Sequence, residues 1–134
     1  VAEFVAQEEM SRYTGYWWSP DEAYVAYTKV DESPVDVVER FDIAADKTTV
    51  IDQRYPRAGR PNAVVDLFVR DLETGEAVEV NWRREDWGPA TDQYLARVNW
   101  EQRTPSAYQS SGGPGSGFPD VMTTLRFSTG RFIV

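Results

Sequence analysis

The sequence predicts an all-β fold with one short helix near its beginning, and two features of the chain carry this prediction. Short runs in which apolar and polar residues alternate recur along the 134 residues, and turn-forming residues separate them. Alternation with a period of two places successive side chains on opposite faces of a β-strand. Short strands at this spacing are typical of antiparallel sheets rather than of helical folds.

The helix is the first predicted element. Residues 4–12 are compatible with a helix and include neither Gly nor Pro, and this stretch carries the adjacent carboxylates Glu8 and Glu9. Residues 16–19 and 23–30 then predict the two strands of a hairpin. Further strands are predicted at residues 35–43, 64–71 and 77–82.

Trp17 and Trp18 are neighbours in the first predicted strand, so their side chains face opposite sides of the sheet. A stacking platform for substrate is one interpretation of the pair. Because each indole covers a large apolar area, we expect instead that at least one of the two packs in the core.

The charge balance excludes one class of partner. The chain has 14 Lys and Arg residues against 22 Asp and Glu residues, a net charge of -8. Such a surface repels phosphate backbones, so we expect no nucleic-acid partner, and a cationic ligand fits better. No apolar run is long enough to span a bilayer, and residues 1–4 lack the features of a signal peptide.

The composition also argues against a metal or other cofactor. With no Cys and no His, neither a disulfide framework nor the usual zinc site is available. Several acids in or near predicted turns do not have the spacing of a calcium-binding loop, and we interpret them as solvated side chains. These acids are Asp31, Glu32, Asp42, Asp46 and Asp71.

Glu8 and Glu9 form the most informative motif. Two adjacent acids repel, so a folded chain keeps them either because both face water or because a cation lies between them. Residues 2–10, residues 15–21 with their Trp pair, and the Ala- and Tyr-rich strand that leads into residues 30–35 follow one another in a distinctive order. This order resembles the β-propeller domain of the dipeptidyl peptidase IV family, most closely its bacterial members.

The resemblance extends to about Trp100. Residues 52–62 are similar to the family's Tyr-Pro-x-Ala-Gly connection, residues 64–74 to the strand that follows it, and residues 92–100 to the strand that opens the next blade. Beyond Trp100, only residues 127–134 resemble a family strand.

The resemblance implies a partial β-propeller, with two to three blades of antiparallel strands and a short helix carrying the double-Glu motif. A complete propeller has about four to eight blades. We assign the blades and the double-Glu insertion to residues 1–109, a Gly/Ser/Pro-rich loop or linker to residues 110–117, and a terminal β segment to residues 118–134.

The resemblance also implies a function. In the family, the double-Glu motif holds the charged N-terminus of a peptide, and a serine hydrolase of the aminopeptidase type then releases a dipeptide that ends in Pro or Ala. Glu8 and Glu9 are therefore the expected substrate-binding residues. A periplasmic or secreted location is implied as well.

This chain is expected to be inactive by itself and to contain no catalytic residue. It has no His to act as a general base, and Ser116, between Gly115 and Gly117, lacks the spacing of a nucleophile elbow. The α/β-hydrolase domain and the remaining blades are therefore expected elsewhere.

Two alternatives remain open. The chain could be a non-catalytic propeller segment that serves as a protein-interaction module, or a self-sufficient small β-domain that binds an amine or a peptide. Two to three blades cannot close a ring, so their end faces need cover. We therefore expect a homo-oligomer.

Overall fold

The computed structural model describes residues 2–83, 85, 88–103 and 122–131. It contains one short helix and otherwise mainly antiparallel strands, which confirms the all-β prediction. The elements are α1 (Phe4–Glu8), β1 (Tyr16–Trp18), β2 (Tyr24–Asp31), β3 (Val37–Ile43), β4 (Thr48–Arg54), β5 (Val64–Asp71), β6 (Ala77–Val80), a 3₁₀ turn (Ala90–Asp92), β7 (Gln93–Arg103) and β8 (Met122–Arg131).

Four strands form one antiparallel sheet in the order β1-β2-β5-β6. All eight residues of β2 pair with β5, from Tyr24 opposite Asp71 to Asp31 opposite Val64. The turn between β5 and β6 contains Gly75 at φ 76°, in the left-handed region that favours glycine. This sheet has the strand number and order of one propeller blade.

A hairpin of β3 and β4 is inserted between β2 and β5, and among the described strands it pairs only with itself. Sequence analysis predicted its first strand but no strand at Thr48–Arg54. The Ala44 amide donates to the Lys47 carbonyl at 2.9 Å across the connecting turn. The hairpin is exposed along most of its length, so β4 lacks the apolar alternation that marks a half-buried strand.

The main core lies between the four-stranded sheet and the two-stranded sheet of β7 and β8. Its buried members are Ala26, Val65, Leu67, Trp82, Leu95 and Val98. Trp17 packs against this cluster, whereas Trp18 is 55% exposed, which confirms that at least one of the pair packs in the core. The Trp100 indole N–H also donates to the Trp17 carbonyl at 3.0 Å and joins the two sheets.

One predicted boundary changes, and another lies outside the described residues. The helix ends at Glu8 rather than at Arg12, because Ser11 adopts a left-handed φ of 51° and reverses the chain. Residues 110–117, the predicted linker, lie outside the described residues, and of residues 118–134 only the backbone of β8 is described. No described helix is long and apolar enough to cross a membrane.

Candidate functional site

The two glutamates lie on a closed loop formed by residues 2–13, the double-Glu loop. The Arg12 amide donates to the Ala6 carbonyl at 2.8 Å, and the Ala2 amide donates to the Tyr13 carbonyl at 3.3 Å. These bonds bring the two ends of the loop together around α1. A helix of five residues is too short to be stable in isolation, so its geometry depends on such tertiary contacts.

One face of this loop is anchored to the second sheet. Ala2, Ala6 and Met10 are spaced four residues apart and are all buried, with Tyr94 and Ala96 of β7 packed against them. Side chains four residues apart lie on the same side of a helix. The apolar face is therefore turned toward β7, whereas Glu8, Glu9, Ser11 and Tyr13 are the exposed positions of the loop.

Glu8 and Glu9 occupy the exposed part of the loop. Glu8 is the last residue of α1, and Glu9 caps it in an α-helical conformation, its amide donating to the Val5 carbonyl at 2.9 Å. Both side chains are exposed, and neither forms an ion pair within the described part of the chain. Two adjacent carboxylates beside the carbonyl end of a helix create a negative potential that attracts a cation.

Inside the loop lies a buried ion pair between Arg12 and Glu3. The Arg12 Nη2 atom donates to Glu3 Oε1 at 2.7 Å, and the two side chains are only 5% and 7% exposed. Arg12 also donates to the Thr14 carbonyl at 3.1 Å, and its guanidinium carbon lies 5.9 Å from the ring centroid of Trp17. Arg12 thus connects the beginning of the loop to strand β1.

A cleft of about 600 Å³ opens beside the loop. Glu9 lines one side, the chain after β4 lines another, and the 3₁₀ turn before β7 completes the wall. Its lining includes Phe4, Tyr55, Arg57, Arg60, Asp92 and Tyr94. The cleft therefore combines aromatic surface with charges of both signs.

The position of the loop after β4 is fixed by Asp36. Its carboxylate accepts hydrogen bonds from Arg60 Nε at 2.8 Å and from Arg57 Nη2 at 3.0 Å. These bonds lower the pKa of Asp36 from 3.8 to about 2. Both arginines of the cleft wall are thereby paired with Asp36.

Tyr94 links the cleft to the double-Glu loop. Its hydroxyl accepts a hydrogen bond from the Asn62 side chain, and its ring packs against the buried cluster under α1. Burial, together with the nearby charge of Asp92, raises the pKa of the Tyr94 hydroxyl. The phenol therefore stays protonated at neutral pH.

The structure separates the two predicted site residues. Glu9 lines the cleft, whereas Glu8 is exposed next to it and does not contribute to the cleft lining. Sequence analysis did not identify Tyr55, Asp92 or Tyr94 as neighbours of the site. Among the described residues, no group of three or more acids is arranged to hold a metal ion.

Comparison with known proteins identifies the family. The sequence model of the protein family described as the dipeptidyl peptidase IV N-terminal region matches residues 1–110. The chain belongs to this dipeptidyl peptidase IV family.

Individual relatives agree with this assignment. The chain is 29% identical to pig (Sus scrofa) dipeptidyl peptidase 4 over 109 residues, which cover 75% of this chain and 14% of that protein. It is 34% identical to mouse (Mus musculus) dipeptidyl peptidase 8 over 81 residues, 54% of this chain and 9% of that protein. The chain therefore spans only a small part of the length of these relatives.

A solved structure supports the same fold. Porphyromonas gingivalis dipeptidyl peptidase 4 matches 73% of this chain and 13% of its own chain, with 25% identity and a TM-score of 0.61. The partial-propeller prediction is thereby confirmed: the dipeptidyl peptidase IV segment described here contains one four-stranded blade, an inserted hairpin, and two strands of a further sheet packed against that blade.

Proposed function

We propose that this segment binds the N-terminus of a peptide substrate through Glu8 and Glu9, within a serine dipeptidyl peptidase. The α/β-hydrolase domain and the remaining blades of that enzyme lie outside the 134 residues. The family relationship supports the same reaction, release of an N-terminal dipeptide. By the resemblance, specificity for Pro or Ala before the cut bond is a property of the hydrolase domain, and the enzyme is periplasmic or secreted.

The observation that carries this proposal is the environment of the two acids. Glu8 and Glu9 are adjacent and exposed, they form no ion pair with described residues, and they lie on a loop whose other face is buried against β7. Solvated surface acids alone would not need such an anchored support. A fixed pair of carboxylates can instead accept charge-assisted hydrogen bonds from one ammonium group.

This arrangement gives a physical basis for cutting after the second residue. The α-ammonium group is the feature that distinguishes a chain end from an internal peptide. When the acids hold that group, the second peptide bond lies at a fixed distance from them, where a serine of the hydrolase domain can attack it. A peptide with a blocked N-terminus would leave the carboxylates desolvated and unpaired, which disfavours its binding.

The test is kinetic and uses the full-length gene product. We expect Glu8→Gln and Glu9→Gln each to lower kcat/KM for glycyl-proline p-nitroanilide by about tenfold or more, because a lost charge-assisted contact costs about 1.5–3 kcal/mol. Glu39→Gln, which changes an exposed glutamate on β3, is the matched control and should leave kcat/KM unchanged. The low rate on the N-acetylated substrate should be equal in all variants. Wild-type kinetics in both Glu8→Gln and Glu9→Gln would remove the amine-binding role.

A second candidate function, protein interaction, is supported by the hairpin of β3 and β4. In its register Phe41 lies opposite Val50, and Val37 and Ile43 belong to the same face. These four apolar side chains are 52–76% exposed. Exposed apolar patches of this kind are typical of interaction surfaces, and the hairpin supports the proposed homo-oligomer.

A further inference from the structure

We infer that the buried ion pair of Glu3 and Arg12 positions Glu8 and Glu9 for amine binding, an inference that rests on the function proposed above. Neither Glu3 nor Arg12 is exposed enough to contact a peptide, since their side chains are only 7% and 5% exposed. Both are positioning residues that act through the two acids.

The ion pair connects the two ends of the double-Glu loop. Glu3 immediately precedes α1, and Arg12 follows the chain reversal at Ser11, so their contact joins the two ends of the loop that presents the acids. The helix has no side-chain cap at its beginning. Such a short helix keeps one geometry only if its ends are held, and the ion pair holds both ends from inside the loop.

Arg12 also anchors the loop to the core. Its guanidinium approaches the ring of Trp17, and the Trp17 carbonyl in turn accepts the hydrogen bond from Trp100 on β7. A continuous set of contacts therefore runs from the junction of the two sheets to the double-Glu loop. The acids are held at a defined position relative to both sheets.

The two charges of the ion pair are imperfectly paired. Glu3 Oε2 and Arg12 Nε are buried and have no hydrogen-bond partner among the described residues. Burial of a charge carries a large desolvation penalty, which an incompletely hydrogen-bonded pair does not fully offset. Stability alone therefore does not account for the pair, whereas a role in fixing geometry does.

Arg83 provides a matched control elsewhere in the fold. It forms an ion pair with Asp66, its guanidinium carbon lies 5.3 Å from the ring centroid of Trp82, and its Nε atom is also buried without a partner among the described residues. This second Arg, carboxylate and Trp arrangement has the same chemistry as the first. It lies beside Trp82 of the main core, its paired side chains are 25% and 28% exposed, and among the described residues no hydrogen bond or ion pair joins Arg83 to the double-Glu loop.

The experiment compares Arg12→Met with Arg83→Met in the full-length gene product. The readout is kcat/KM for glycyl-proline p-nitroanilide per active serine, with active sites counted by fluorophosphonate titration, and the thermal midpoint is recorded for each variant. We expect Arg12→Met to lower kcat/KM by about tenfold, because displacement of positioned groups by a fraction of an ångström is costly to catalysis. Arg83→Met should lower the thermal midpoint but leave kcat/KM per active serine within about twofold.

A second measurement separates positioning from general damage. In a protein that already carries Glu8→Gln and Glu9→Gln, addition of Arg12→Met should cause no further loss, because the residues through which Arg12 acts have already been changed. An additive loss, or an equal loss in Arg12→Met and Arg83→Met, would overturn the inference. If Arg12→Met does not yield folded protein, Arg12→Lys and Glu3→Gln replace it in the same comparison, with the same expected pattern.

The two proposals fail in different ways. Wild-type kcat/KM in Glu8→Gln and Glu9→Gln would overturn both the amine-binding role and the positioning role. A loss in those variants with wild-type kcat/KM in Arg12→Met and its replacements would overturn the positioning role alone.

Discussion

Substitution of Gly15 by Ala tests how tightly the double-Glu loop is joined to the blade. Gly15 lies between that loop and β1, and its carbonyl accepts two hydrogen bonds from Thr28, from the amide at 2.7 Å and from the hydroxyl at 3.2 Å. A Cβ atom at this position would lie 2.5 Å from Thr28 Oγ1, whereas ordinary van der Waals contact begins at 3.4 Å. Thr28 is β-branched and has few alternative rotamers, so it cannot easily move away.

The expected cost has three contributions. Overpacking costs about 1–3 kcal/mol, and loss of the hydroxyl hydrogen bond costs about 0.5–1.5 kcal/mol. Replacement of Gly by Ala restricts the unfolded chain and returns about 0.4–1 kcal/mol. We therefore expect Gly15→Ala to lower the free energy of unfolding by about 0.5–4 kcal/mol.

A double-mutant cycle in urea, followed by tryptophan fluorescence, checks this origin. In the Thr28→Ala background the clashing oxygen is absent, so Gly15→Ala should be nearly neutral, with a coupling energy of about 1 kcal/mol or more. Gly59→Ala is the control: Gly59 has a φ of 73° and no neighbour within 4 Å of an added Cβ, so its cost comes from backbone strain and should be equal in both backgrounds. Equal costs of Gly15→Ala with and without Thr28 would refute the steric argument.

Three further outcomes follow from the fold. Leu67→Ala in the fully buried core should lower the free energy of unfolding by about 2–5 kcal/mol, whereas Val78→Ala at a 68% exposed position should change it by less than about 0.5 kcal/mol. Urea titrations measure both values, and similar values for the two variants would contradict the assigned core. The pKa of Asp36 is lowered to about 2, so its ion pairs stabilise the fold above pH 3.8 and are progressively lost as the pH falls toward 2. The stability difference between wild type and Asp36→Asn should therefore shrink over that range. A constant difference would show that the carboxylate charge does not matter. The chain should self-associate at micromolar concentration, as measured by light scattering. The double variant Phe41→Lys with Ile43→Lys should weaken this association, whereas the control Val78→Lys should not. A monomeric wild type would exclude the hairpin as a self-association surface.

The extent of prediction from sequence differed between elements for physical reasons. Strands such as Val64–Asp71 were predicted because burial imposes a pattern of apolar residues on them. Thr48–Arg54 has little burial and so shows only β propensity, for which the run from Thr48 to Ile51 was the available signal. Serine rarely adopts the left-handed φ found at Ser11, so the sequence contains no signal for this end of the helix region.

The candidate site was predicted in part. Glu8 and Glu9 were identified by resemblance, and the structure exposes both. The pairing of Glu3 with Arg12 could not be predicted, because nine residues is not a helical contact spacing and buried charges are uncommon. The cleft also brings Tyr55 and Asp92 into one lining, and local patterns contain no information about such long-range arrangements.

The support of α1 by β7 has a consequence for the order in which the protein matures on the ribosome. The double-Glu loop is synthesised before β7: Tyr94 and Ala96, which cover its buried face, emerge more than eighty residues later, and Trp100 lies 83 residues after its partner Trp17. Contacts of such long sequence separation form late, after the intervening chain has lost its freedom. A nascent chain that stops before β7 would contain both glutamates without holding them in place. The two carboxylates would therefore reach a fixed geometry only when the second sheet has folded.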